Sequence, residues 1–142
     1  MVARTIDAIA TRGEGVFLLL GRLAIAALYI PAGYKHLTGL NGFAQFLASE
    51  GVPGPAIAWA IAGALVEFFG SLAILAGFKT RLAALLLIAF TIGAAVLGHP
   101  FWAAPEAMFQ SQYINFFKNL AIAGGLLFVF VRGPGPISID RR

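Results

Sequence analysis

Apolar residues run along this chain in four long blocks: Val16 to Tyr34, Ala56 to Phe78, Leu82 to Leu97 and Ile114 to Val131. None of the four carries the polar face of a surface helix. Each is apolar all round, the pattern of a helix whose solvent is lipid. Crossing the hydrocarbon layer takes about 20 residues at the rise of an α-helix. The second block is comfortably long, and the third becomes long enough by borrowing Gly98 and His99. The expected elements are helices over 16–38, 56–78, 82–99 and 114–131. Together they make an all-α bundle of four transmembrane helices, a single domain over residues 1–142. The competing picture, buried helices of a soluble bundle, fails because no block has a polar side.

The connections differ in kind. Residues 79–81 form a tight polar turn, whereas residues 39–50 and 101–113 are longer and rich in aromatic residues. Phe43, Phe46 and Leu47 fall at helical spacing, and Phe101, Trp102, Met108, Phe109 and Tyr113 crowd the second segment. Both read as short segments lying in the membrane interface, anchored by aromatic rings. A lid over a lipid-facing cavity is the sharper alternative.

Charge adds an orientation. Arg4 and Arg12 precede the first block, Lys79 and Arg81 sit in the tight turn, and Arg132, Arg141 and Arg142 follow the fourth. If the helices alternate, all seven fall on one side, leaving Lys35 and Lys118 for the other. Cytoplasmic loops are the ones enriched in Lys and Arg, so both termini are expected inside. The net charge of +4 is therefore a topology signal, and no basic cluster with interleaved aromatics points to nucleic acid. The chain has no cysteine, which excludes disulfides, thiolate metal sites and dithiol redox chemistry within it. The mixed-charge residues before the first block show no cleavage site and do not read as a removed signal.

An internal echo is visible. VEFFGSLAILAG (66–77) aligns with INFFKNLAIAGG (114–125), and GRLA (21–24) with TRLA (80–83). Helix one would then correspond to helix three, and two to four, as two tandem hairpins.

Polar residues inside such blocks are candidates for function. Glu67 shares a helical face with Ala60, Gly63, Gly70, Ser71 and Ile74, a small-residue face suited to close packing. It lies ~16 Å from the outer end of its helix, near the bilayer midplane. Arg22, Ala26, Tyr29, Gly33 and His36 form a matching face on the first helix. Arg22 lies ~9 Å from the inner end. Similar depth and opposite charge lead to the expectation that Arg22 and Glu67 pair within the bundle, either as a clasp or as a ligand-binding and proton-handling pair. Nearer the outside, Asn115, Lys118 and Asn119 share a face, and Lys35, His36 and His99 end their helices. These are expected to form a polar pocket beneath the aromatic loops, unless Lys118 simply snorkels to the interface. Two histidines on one side of a bundle invite a haem or a metal, but neither a CxxCH motif nor a carboxylate cluster accompanies them. Interfacial hydrogen bonding is the simpler role for His36 and His99.

GRLAIAALYIPAGYKHL, GALVEFFGSLAILAGFKTRLAAL, GHPFW, NFFKNLAIAGG and GPGPISID, in that order and spacing, resemble the DoxX family over about Gly21 to Asp140. The resemblance implies a small four-helix protein of the bacterial cytoplasmic membrane, with relatives tied to quinone-linked redox subunits, oxidative-stress complexes or assembly factors. It places the family's polar membrane positions on Arg22, Lys35, Glu67 and Asn119. Its terminal motif falls on Gly133, Pro134, Gly135, Ser138 and Asp140. Physically, the Gly-Pro-Gly-Pro run stops the last helix. Ser138 and Asp140 then bring hydrogen-bonding groups to the inner helix ends, where Asp140 is expected to pair with Lys79 or Arg81 as a tail lock.

Three functions follow. The first is a redox-linked membrane subunit acting with a protein partner. A quinone would lie between helices among Tyr29, Phe68, Phe69, Phe116 and Phe117, with Arg22 and Glu67 at its oxygens. The second is a non-catalytic scaffold or assembly factor working through its small-residue faces. The third, a small transporter, would need a homo-oligomer, because four helices and one ionisable pair are thin for that task. No self-contained catalytic constellation is visible, so enzyme activity of the chain alone is left open.

Overall fold

The computed structural model describes residues 2–141. These form six α-helices: α1 (Val2–Arg12), α2 (Glu14–Thr38), α3 (Leu40–Ser49), α4 (Ala56–Ala76), α5 (Thr80–Gly98) and α6 (Glu106–Arg132). A 3-10 turn over Phe101–Ala103 joins the last two, and no strand occurs among the described residues. Helices α2, α4, α5 and α6 are long and apolar enough to cross a membrane. Arg142, part of the charge bias above, lies outside the described residues.

Two segments depart from expectation. Residues 106–113 are not a separate interfacial piece; they are the first turns of α6. Pro105 occupies the N-cap and Glu106 the first turn. That is a start signal for a helix, since proline lacks an N–H the first turn would not use and an acid complements the dipole. The polar residues that follow hid the helix from a hydropathy reading. At the other end of the chain, residues 2–12 coil into α1, which buries none of its residues.

The helices pack in two close pairs, α2 with α4 and α5 with α6, joined along α4 and α5. This is the tandem-hairpin arrangement that the echo anticipates. The aromatic connection 39–50 becomes α3, which packs on α4 and buries Leu47. The core is narrow: Tyr29, Ile74, Ala83, Ala84, Leu87, Ile88 and Leu126. Large apolar side chains such as Leu20, Phe69, Leu127 and Phe128 stay exposed on the outside, where lipid covers them.

The small-residue faces lie inside. Arg22, Ala26, Tyr29 and Gly33 are buried on α2, and Ala60, Ala64, Glu67, Ser71 and Ile74 on α4. The closest approach is at Gly33, where a Cβ would stand 2.6 Å from the Phe68 amide nitrogen and 2.7 Å from its Cα. The two backbones meet there only because Gly33 has no side chain. An ion pair between Glu14 of α2 and Arg132 of α6 brings the start of α2 and the end of α6 to one end of the bundle. The α4–α5 turn lies at that same end, because the tail after α6 bonds to it: Ile139 N–H donates to Ala76 O (3.1 Å) and Asp140 N–H to Gly77 O (2.9 Å).

Candidate functional site

Glu67 is 4% exposed and pairs with His36, not with Arg22. Its Oε2 lies 2.6 Å from His36 Nδ1. The reason is a direction that depth alone does not carry. Side chains on a helix tilt toward its N-terminus. Helices α2 and α4 run antiparallel, so His36, late in α2, leans down toward the midplane while Glu67 leans up to meet it. Arg22, early in α2, leans away from Glu67, toward the end of the bundle that holds the α4–α5 turn. Helix α3 completes the site: the Phe43 ring stacks on the His36 imidazole at 4.0 Å and an interplanar angle of 10°. The His36 side chain keeps 31% of its surface exposed, against 6% for Glu67. With the carboxylate accepting at Nδ1–H, the second ring nitrogen, Nε2, has no hydrogen-bond partner among the described residues. A buried carboxylate is thus linked to a partly exposed imidazole.

Arg22, 2% exposed, is a cap. The last turn of α4 leaves carbonyls that the helix itself cannot satisfy. Gly77, at φ +68°, closes the helix in the left-handed conformation that glycine adopts without strain. Phe78 N–H then donates to Ala73 O (2.9 Å) and Gly77 N–H to Ile74 O (3.1 Å), the two bonds of a Schellman ending. Arg22 Nη1 donates to Leu75 O at 2.9 Å and Ile74 O at 3.3 Å, and Ile139 N–H takes Ala76 O. The second terminal nitrogen, Nη2, donates to Ile137 O in the tail, while Nε is buried with no partner among the described residues. A fixed cation at a helix C-terminus also suits the helix dipole.

The echoed arginine does the same for the second hairpin. Arg81 donates to Phe130 O (3.2 Å) and Val131 O (3.3 Å) in the last turn of α6. Contrary to the expectation of a pair with Lys79 or Arg81, Asp140 Oδ2 accepts from Thr80 N–H at 3.4 Å, at the N-terminus of α5. A carboxylate there meets an unsatisfied N–H and the positive end of the dipole, which a flexible lysine does not offer. Gly133 and Gly135 both take positive φ (82° and 78°) and turn the chain back, and Ser138 Oγ donates to Gly135 O at 2.6 Å.

The rest of the expected outer pocket resolves into local pairs. Lys118 Nζ donates to Asn115 Oδ1 (2.8 Å), and Asn119 Nδ2 to Asn115 O (3.1 Å) on the same helix. His99 Nδ1 sits 2.8 Å from Gln112 Oε1, so the two histidines serve different hairpins and do not converge on one ligand position. Lys35 is exposed. The five aromatic residues expected around a quinone also separate. Phe68 and Phe69 contact each other and Phe68 contacts Tyr34, whereas Phe116 and Phe117 belong to a cluster around Phe101 with Trp102, Phe109 and Tyr113. Tyr29 is buried, its hydroxyl 2.5 Å from Thr91 Oγ1, which in turn bonds Leu87 O at 2.6 Å. Tyr29→Phe should therefore lower stability by about 0.6 kcal/mol, the mean for a hydrogen bond between membrane helices. Unfolding by SDS titration measures this, and a loss many times larger would mean that Tyr29 does more than bond Thr91. Thr91 and Gln112 escape the sequence reading, and Phe43 enters it only as an interfacial anchor. Thr91 leaves a signal, as a polar residue inside an apolar block.

Four long apolar helices, tied by a few buried polar contacts, define a small integral membrane protein of the four-helix type. The DoxX family model matches residues 17–100, more than half of the chain, and the chain belongs to that family. It is 40% identical to inner membrane protein YphA of Escherichia coli (strain K12) over 89% of this chain and 90% of that one. To inner membrane protein YqjF of the same organism it is 41% identical, over 90% of this chain and 92% of the other. A shorter stretch, 46% of this chain, is 35% identical to a Surfeit locus protein 4 homolog of Schizosaccharomyces pombe, 22% of that protein. No solved structure matches the chain.

Proposed function

We propose that this chain is the membrane-embedded subunit of a redox-linked assembly in the bacterial inner membrane, and that His36 and Glu67 are its proton-exchanging pair. The names of the two Escherichia coli relatives support the membrane. The excess of Arg and Lys at the end that holds Arg12, Lys79, Arg81, Arg132 and Arg141 supports both termini facing the cytoplasm. The observation that carries the proton role is the 2.6 Å contact between a buried carboxylate and a half-exposed imidazole, set between two helices within an apolar span. Arg22 belongs to no ligand site in this reading, since both of its terminal nitrogens donate to carbonyls.

A ligand of the quinone class, when bound, supplies two-electron chemistry coupled to protons, which the side chains here lack. His36 Nε2 is the group of this chain suited to meet a ring oxygen, and Glu67 holds the imidazole in one orientation and balances its charge when it is protonated. Phe68 and Tyr34 lie near enough on the same helix pair to flank a ring. Phe116 and Phe117 do not belong to this set.

The test is to purify wild type and Glu67→Gln in mild detergent from native membranes and to identify bound small molecules by mass spectrometry of solvent extracts. A stoichiometric quinone in wild type, lost in Glu67→Gln at unchanged thermal stability, is the expected result. No enriched ligand in either protein overturns the quinone reading and favours a scaffold. Arg22, Arg81 and Asp140 support that second reading, because all three serve only to tie helix ends together.

A further inference from the structure

We propose that the end of the bundle carrying α1 holds a binding site for the phosphate headgroup of an anionic phospholipid. The ends of α1, α2, α6 and the tail surround an open depression of about 500 Å³. Arg12, Arg132 and Arg141 line it, against a single carboxylate, Glu14. Glu14 is engaged by Arg132. Arg12 and Arg141, which also line the depression, have no ion pair among the described residues, so no carboxylate there offsets their charge. Guanidinium groups recognise phosphate oxygens in paired, charge-assisted hydrogen bonds.

Position decides which phosphate. The depression opens at a helix end, where Leu18 of α2 and Pro136 of the tail add apolar surface to its lining at the start of a membrane-spanning helix. Helix α1 points the same way. Val2, Ile6 and Ile9 fall on one of its sides at i, i+4 and i+7, are 74%, 59% and 57% exposed, and touch no core. Arg4, Asp7 and Thr11 lie opposite. An amphipathic helix with such a face, joined to a membrane span, lies in the headgroup layer. Arginines at the start of a membrane span, beside an amphipathic helix, favour a lipid headgroup over a nucleic acid or a free anion. The site is independent of the His36–Glu67 pair, which lies toward the other end of α2.

The experiment is native mass spectrometry of the delipidated full-length protein, titrated with dioleoyl phosphatidylglycerol, dioleoyl phosphatidylcholine or inorganic phosphate. One phosphatidylglycerol is expected to bind wild type roughly tenfold to thirtyfold more tightly than phosphatidylcholine, and Arg12→Gln/Arg141→Gln is expected to abolish the difference. Both positions are exposed and bond nothing in the core, so the double variant should keep the thermal midpoint of wild type in neutral detergent. That midpoint shows whether a loss of binding is merely a loss of fold. Equal affinity of wild type for the two lipids overturns the site. Displacement of the lipid by millimolar inorganic phosphate overturns the assignment to lipid, and a preference that survives in the double variant overturns the assignment to these arginines.

Discussion

Arg22→Met is expected to destabilise the protein by about 3 kcal/mol. The substitution keeps the volume and removes the donors to Ile74 O, Leu75 O and Ile137 O. Hydrogen bonds from a charged donor contribute roughly 1.5–3 kcal/mol each in water-soluble proteins. Membrane measurements run lower, averaging ~0.6 kcal/mol for pairs of neutral groups. Three bonds from one cation at a buried helix end fall between these limits. The carbonyl of Leu75 would then have no partner, and the tail would lose its side-chain anchor to α2. SDS-titration unfolding gives the magnitude, and hydrogen exchange at Ile139 and Asp140 should rise with it. A change under about 0.5 kcal/mol, the size of an ordinary surface substitution, would show that the guanidinium does not hold these carbonyls. The double variant Arg22→Met/Glu67→Gln separates the observed arrangement from the expected ion pair. The two residues share no partner here, so their effects should add to within about 0.5 kcal/mol. A pair in contact would show a clear coupling energy.

The second large effect is at Gly33. Gly33→Ala should cost about 1–3 kcal/mol, the usual range for overpacking a tight interior. The added methyl would meet backbone atoms of Phe68 rather than a flexible side chain, so α2 and α4 must move apart. Glu67 is the neighbour of Phe68 and His36 lies one turn beyond Gly33, so the same shift lengthens the His36–Glu67 contact. The imidazole nitrogen shifts in NMR report it directly. Gly124→Ala is the control, because a Cβ there meets nothing within 4 Å. If Gly33→Ala is no worse than Gly124→Ala, the crossing is looser than described. Helix α2 also contains Pro31, which removes one internal hydrogen bond close to this crossing.

A structural clasp and a proton-handling pair are often weighed against each other as readings of one buried ion pair. Here they are separate devices on the same two helices. The clasp is Arg22 with the tail, at the end shared by both termini. The pair is His36 with Glu67, under α3 at the opposite end. This separation makes the functional test cleaner, since Glu67→Gln leaves every bond of the clasp in place.

Several features were decided by the chain in one dimension. Four apolar blocks without a polar side have only one way to satisfy their backbone in lipid, so the four membrane helices follow from hydropathy alone. The inward faces of α2 and α4 follow from helical spacing, because small and polar residues recur at i, i+3 and i+4. The GRLA and TRLA echo carried more than it first showed, since both arginines cap the last turn of their own hairpin's second helix. What the tertiary structure alone decided is partner choice. Arg22 and Glu67 have suitable charge and depth, but the tilt of side chains along two antiparallel helices turns them away from each other and turns Glu67 toward His36. Asp140 has two cations close in sequence, yet the tail returns along a path that presents it to the Thr80 N–H instead. Phe43, Gln112 and the end carbonyls of α4 and α6 acquire roles only once helix ends are placed side by side. Hydropathy reports how far a residue lies from water, whereas a hydrogen bond depends on direction over about 3 Å, and that direction exists only after the helices have packed.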